Sequence, residues 1–255
     1  TAKGVTVIQN AAREPEIADL ADFLNAAGAK IRGAGERVIV VEGVERLFGT
    51  EHTVIPDRIT ASTYMAAGAV TGGKVTLLGV LPAHLKPVFP AFLKAGCDIA
   101  LCGNELTVTP PAKLRPVGDV VTDYYPGFPT DSQPPVLAMA ALAVGSSEFT
   151  ENIFEKRLNH TQELIKMGAD IKVTKNMARI NGVGRLCGCP VKAEDLRGGA
   201  ALIVAALAAQ GETQIGGMEY ILRGYEDIEL SLGHLGANIW LKESKLEEEK
   251  AVGSK

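Results

Sequence analysis

Apolar and polar positions along the chain follow a pattern that repeats four times. Residues 23–31 (FLNAAGAKI), 92–99 (FLKAGCDI), 164–171 (LIKMGADI) and 232–239 (LGHLGANI) share it. Each predicts a helix that stops at a glycine and gives way to a strand. The four glycines, Gly28, Gly96, Gly168 and Gly236, are separated by 68, 72 and 68 residues. Glycine suits this place because a left-handed helix cap penalises any side chain. The first three strands have an apolar partner nearby, at 38–41, 106–108 and 177–180. The fourth has none, because the chain turns polar after Leu241.

A second set of elements interleaves with the first. Asp57 opens an apolar helix that ends near Gly72, followed by a strand at 74–80. A helix after Asp131 ends at Gly145, before a strand at 148–153. A helix after Asp195 ends at Gly211, before a strand at 212–215. The residue pattern of one unit is therefore helix, strand, helix, strand, strand. A fixed period of this length marks a supersecondary module that buries its apolar face against its neighbours. The first unit starts partway, at a strand over 5–8, and the last lacks its closing strand. The expectation is that a strand from outside this chain completes the pattern. The opening Thr1-Ala2-Lys3-Gly4 has no initiator Met and no signal-peptide pattern, so the chain is expected to begin inside a longer protein.

Composition narrows the function. The chain has 255 residues, 46% of them apolar and only 5% aromatic, with a net charge of -4. Small-residue helices packed on sheets fit that mix better than an aromatic-rich sandwich. There is no Lys/Arg block, so nucleic acid and anionic membrane have no electrostatic footprint. The apolar stretches at 136–144 and 200–209 are about half the length of a membrane span. Cys97, Cys102, Cys187 and Cys189 match no strong zinc spacing and read as reduced structural thiols of a cytosolic protein.

Local spacing gives the candidate chemical groups ordinary roles. Asp131 sits at a helix start, where Thr130 and Gln133 have capping-box spacing and an acid is favourable. Pro134 and Pro135 complicate that reading and move the helix start towards Ser132. Arg223 reads as a surface arginine paired with Glu226 or Asp227, and Arg157 as a partner of Glu155 or Glu163. His160 reads as a capping or loop histidine. Gly33 and Gly35 precede a strand, not a helix, so the phosphate-cradle reading fails.

Seven motifs, in order, change this weighting: residues 10–17 (NAAREPEI), 56–59 (PDRI), 128–133 (FPTDSQ), 155–160 (EKRLNH), 167–169 (MGA), 195–197 (DLR) and 223–226 (RGYE). With them the chain resembles the enolpyruvyl transferase family, and its UDP-sugar branch more closely than its shikimate branch. The resemblance implies an inside-out α/β barrel of repeated β-α-β-α-β-β units, helices inside and sheets outside. Residues 1–55 would end the family's first domain, and 56–242 would form most of the second, without the last closing strand. Residues 243–255 would be a polar tail. The implied reaction moves the enolpyruvyl group of phosphoenolpyruvate to the 3-hydroxyl of UDP-N-acetylglucosamine and releases phosphate. This is the first committed step of peptidoglycan synthesis, in the cytoplasm, and needs no metal or organic cofactor.

By the same resemblance Asp131 takes the proton of that hydroxyl and Arg223 binds the carboxylate or phosphate of phosphoenolpyruvate. Ile153 contacts the sugar nucleotide through its backbone, and Arg157 adds positive field. Asp195 and Arg197 support the site or the interdomain surface without acting in catalysis. Leu222 stands where the family often carries an acid. The family's N-terminal Lys-Asn pair and its loop with a catalytic Cys or Asp would precede residue 1, so this chain alone is expected to be inactive. Its partner would be that N-terminal segment. The alternative is a non-catalytic repeat module that binds a partner through an open sheet edge.

Overall fold

In the computed structural model residues 1–242 are described. The polar tail expected at 243–255 lies outside them. The chain folds around three helices, α2 (Arg58–Thr71), α5 (Gln133–Ala141) and α7 (Leu196–Ala208), which pack pairwise against one another. All nine residues of α5 are buried, as are eight consecutive residues of α7, Gly198 to Ala205. Ala66, Ala67 and Gly68 of α2, Ala138 and Ala140 of α5, and Ala200 and Ala201 of α7 let the three axes approach. Between them Met65, Leu137, Met139 and Leu202 fill the core, and each such side chain contributes about 1.5–3 kcal/mol on burial.

Sheets cover these helices from outside. The third unit is complete: β7 (Asp119–Val121), α5, β8 (Gly145–Thr150), α6 (Thr161–Lys166), β9 (Asp170–Thr174) and β10 (Met177–Gly182). Its sheet runs β7-β8-β10-β9. The first pair is parallel and the others antiparallel, with Ile180 opposite Ser147 on one side and Ile171 on the other. Along β10 the side chains alternate as a half-buried strand should: Ala178 and Ile180 face the core, while Arg179 and Asn181 do not.

The second unit, α2, β4 (Val75–Leu77), α3 (Pro82–Leu85), α4 (Phe89–Ala95), β5 (Asp98–Cys102) and β6 (Glu105–Thr109), forms a sheet β4-β6-β5. The last unit has β11 (Pro190–Lys192), α7, β12 (Gln214–Gly216), α8 (Met218–Leu222) and α9 (Ile228–His234), with β11 and β12 parallel. Against the complete sheet, the strand beside β4 and the antiparallel pair beside β12 are missing among the described residues. Residues 237–242 form no strand.

The arrangement is thus the inside-out α/β one, with the sheets remaining separate from one another. The residue pattern missed the opening strands β7 and β11, which the family resemblance implies. No helix among the described residues is long and apolar enough to cross a membrane.

Residues 1–55 form a smaller unit of β1 (Val5–Gln9), α1 (Pro15–Ala26), β2 (Lys30–Arg32) and β3 (Val38–Glu42), in sheet order β1-β3-β2. Its buried residues Pro15, Ala21, Ala27 and Ile39 stand apart from the main core, which begins at Ala61. A bidentate pair joins it to α2: Arg58 Nε and Nη2 donate to Glu16 Oε1 and Oε2 at 2.8 and 3.2 Å.

The four repeat glycines have the same geometry. Gly28, Gly96, Gly168 and Gly236 have φ of 99°, 94°, 96° and 98°. In each copy the glycine N–H bonds the carbonyl three residues back, and the next N–H bonds the one five back. This closes the end of each helix. A side chain there strains the backbone by about 1–2 kcal/mol. At Gly168 a Cβ would meet nothing within 4 Å, whereas at Gly96 it would meet Arg115 Nε at 3.0 Å and Pro111 Cγ at 3.1 Å. In urea denaturation G168A should therefore lose only the backbone strain, about 1–2 kcal/mol, and G96A measurably more.

Candidate active site

The three central helices begin close together, and their first turns build the site. Asp57 Oδ1 caps α2 by accepting from the N–H groups of Ile59 and Thr60 at 2.7 and 3.1 Å. Asp195 Oδ1 caps α7 by accepting from those of Arg197 and Gly198, both at 2.9 Å. The start of α5 is different. A 3-10 turn over Thr130–Ser132 leads into it, Pro134 and Pro135 occupy its first turn, and no side chain caps it. The capping box does not form, and Asp131 is not a cap. Ser132 Oγ instead meets Ser62 Oγ of α2 at 2.7 Å. Helix starts carry partial positive charge, and three of them converge here.

Asp131 is held by two arginines, one on each oxygen. Arg157 Nη2 donates to Oδ1 at 2.8 Å and Arg197 Nη2 lies 2.9 Å from Oδ2. The carboxylate side chain is 33% exposed, while those of Arg157 and Arg197 are 12% and 15% exposed. Asp131 therefore looks out of a wall in which its holders are buried.

Each guanidinium is fixed by further partners. Arg157 Nε donates to Thr130 Oγ1 at 3.1 Å, and its Nη1 lies 3.8 Å from Asp195 Oδ1. Arg197 Nη1 donates to the Tyr225 hydroxyl at 3.4 Å, which lies 2.9 Å from Thr63 Oγ1. Thr63 in turn donates to the Ile59 carbonyl at 3.1 Å, so the tyrosine proton belongs to Thr63. Burial works against the charge of Arg197, but Asp131 and Tyr225 outweigh it and raise its pKa. Burial also raises that of Tyr225 and keeps the phenol protonated.

The other expected residues lie as follows. Ile153 is part-buried, and its N–H donates to Glu151 Oε1 at 2.9 Å. A backbone contact from Ile153 to a ligand would therefore use its carbonyl. Arg223 is exposed at the end of α8 and lines a hollow with Glu226, Asp227 and Glu229. It has no ion pair among the described residues and no hydrogen bond to the Asp131 cluster, although Tyr225, two residues on, belongs to it. Arg157 uses neither Glu155 nor Glu163. Glu163 is bound instead by Lys166 Nζ and the Lys192 N–H.

His160 is buried, with Nδ1 2.8 Å from the Arg157 carbonyl and Nε2 without a partner. Burial pushes its pKa down to about 4, so it is neutral at pH 7 and unsuited to donate a proton. All four cysteines are free. Only Cys97 is buried, and burial pushes its thiol up to about 11. Among the described residues no three His, Cys, Asp or Glu side chains are grouped to hold a metal ion.

Sequence reasoning missed the direct contact of Arg197 with Asp131, and Tyr225, Thr63 and Glu151 altogether. The DLR and RGYE motifs contain two of these residues but carry no sign of their partners.

Three buried helices wrapped by sheets are the architecture of the enolpyruvyl transferase class. The family described as EPSP synthase (3-phosphoshikimate 1-carboxyvinyltransferase) matches residues 1–232, and the chain belongs to it. It is 48% identical over 238 residues to UDP-N-acetylglucosamine 1-carboxyvinyltransferase 2 of Caldanaerobacter subterraneus subsp. tengcongensis, covering 93% of this chain and 57% of that protein. It is 50% identical over 240 residues to the protein of the same name from Symbiobacterium thermophilum, covering 93% and 56%.

Among solved structures, the enolpyruvyl transferase NikO from Streptomyces tendae superposes with a TM-score of 0.83 at 30% identity, over 93% of this chain and 57% of that one. EPSP synthase from Acinetobacter baumannii shares the fold, with a TM-score of 0.73 at 21% identity, over 95% of this chain and 59% of that one. The chain thus spans a little over half the length of these relatives.

The neutral burial of His160 makes stability depend on pH. As pH falls from 6.5 towards about 4, the unfolded chain takes up a proton that folded His160 refuses. The His160 contribution to stability should fall by up to about 3 kcal/mol across that window and level off below it. Urea denaturation at a series of pH values checks this, and H160N should flatten the dependence over the same range.

Proposed function

We propose that this chain is the greater part of one wall of an enzyme that transfers the enolpyruvyl group of phosphoenolpyruvate to the 3-hydroxyl of UDP-N-acetylglucosamine. The names of its relatives support a UDP-N-acetylglucosamine acceptor, and the placement of Asp131 between two arginines is the observation that carries the reading of the site. Residues 1–55 belong to the first domain and 56–242 to the second. The first domain, with the family's catalytic Cys or Asp loop, supplies the facing wall. The role is the first committed step of peptidoglycan synthesis, in the cytoplasm.

The sugar hydroxyl attacks C2 of phosphoenolpyruvate while C3 is protonated. The tetrahedral intermediate then loses phosphate from C2 and a proton from C3, which leaves an enolpyruvyl ether. With one guanidinium on each oxygen, Asp131 keeps lone pairs free and accepts the hydroxyl proton as a general base. Arg157 and Arg197 hold it in register, and the Ile153 carbonyl contacts the sugar nucleotide. Arg223, exposed and unpaired among the described residues, meets the carboxylate or phosphate of phosphoenolpyruvate through planar paired donors. The site becomes a closed cleft only when both walls meet, which aligns reactants and excludes water.

The assay is phosphate release from phosphoenolpyruvate and UDP-N-acetylglucosamine, with this chain alone and mixed with an N-terminal segment of the family. Activity is expected only in the mixture, and D131A should lower kcat about 100- to 10,000-fold. The edges of β4 and β12, unpaired among the described residues, favour one other reading, a module that takes up a strand from a partner. A mixture that associates but releases no phosphate would leave that reading in place of the enzyme.

A further inference from the structure

We propose that Glu151 is a positioning residue of this site, holding the loop that carries Ile153 and Arg157 in place beside Asp131. It directly follows β8 and is only 3% exposed, with no cation paired to it among the described residues. A buried carboxylate needs compensating donors, and three converge on one oxygen. Oε1 accepts from Thr130 Oγ1 at 3.0 Å, the Ile153 N–H at 2.9 Å and the Phe154 N–H at 3.0 Å. Its own backbone is clasped by Asn176, whose carbonyl accepts the Glu151 N–H at 2.8 Å and whose Nδ2 donates to the Glu151 carbonyl at 3.0 Å.

Two consequences reach the site. The Ile153 N–H is tied down, which leaves the carbonyl of that residue as its free backbone group. The Thr130 proton is committed to Glu151, so its oxygen accepts from Arg157 Nε, and Arg157 then reaches Asp131. One carboxylate oxygen therefore sets both the loop backbone and the arginine that holds the proposed base. Without it the two loop amides lose their acceptor and the Thr130 hydroxyl is free to turn. The inference rests on reading Asp131 and Ile153 as the sugar-nucleotide site.

Two measurements test it. Hydrogen exchange on this chain should show the Ile153 and Phe154 amides exchanging about 10-fold faster or more in E151A, with β10 unchanged. E151Q keeps an acceptor oxygen and should remain close to the parent. Unchanged exchange at those amides overturns the proposal. In the complete two-domain protein, calorimetric titration with UDP-N-acetylglucosamine should show E151A weakening binding about 10-fold, with E151Q restoring most of it. Binding left intact by E151A at a temperature where it remains folded overturns this inference alone. An unsubstituted protein that binds no UDP-N-acetylglucosamine overturns the proposed function, and this inference with it.

Discussion

Helices with little or no polar side must be buried nearly all round, and that requirement dictates the rest of the molecule. α5 shows it most directly, because none of its nine residues reaches solvent. A helix of this kind cannot lie on a surface. It needs other helices on some sides and sheets on the others, which puts the strands outside. Such helices meet solvent mainly at their ends. Polar groups gather there, at Asp57, Asp131 and Asp195, so the position of the site follows from the way the core is packed.

The ion pairs at Asp131 are matters of orientation more than stability. A part-exposed pair adds little to folding, but its geometry is set from several directions. Arg157 comes from the loop after β8 and is steadied by Thr130. Arg197 comes from α7 and is steadied by Tyr225, beyond α8, which is anchored in turn to Thr63 of α2. A carboxylate tied to that many elements holds one position relative to the whole core.

What could be read from the sequence was what depends on near neighbours. The left-handed glycines need only their own helix, so Gly28, Gly96, Gly168 and Gly236 disclosed the repeat. Asp57 and Asp195 disclosed helix starts for the same reason. β7 and β11 escaped because each has three residues and a single buried side chain, Val120 or Val191, too few to show alternation.

The site itself depends on distant pairs. Arg157 is 26 residues from Asp131 and Tyr225 is 162 from Thr63. Rules of local spacing offered Arg157 the wrong acids and Asp131 the wrong role. Only the family motifs pointed to Asp131, Arg157 and Arg223 together, and nothing in them indicated Glu151 as the anchor of the loop between.

The helix starts have one more consequence. Asp57 and Asp195 already take up first-turn amides of α2 and α7. At α5 the Gln133 amide bonds the Thr130 carbonyl, and the next two residues are prolines with no N–H to offer. The first-turn backbone donors of the three helices are thus largely engaged internally. A phosphate-binding loop built on main-chain amides reads any anion of the right size. On the proposed function the reading of an anion falls to guanidinium side chains, so selectivity would change by substitution at a few positions while the core stays as it is.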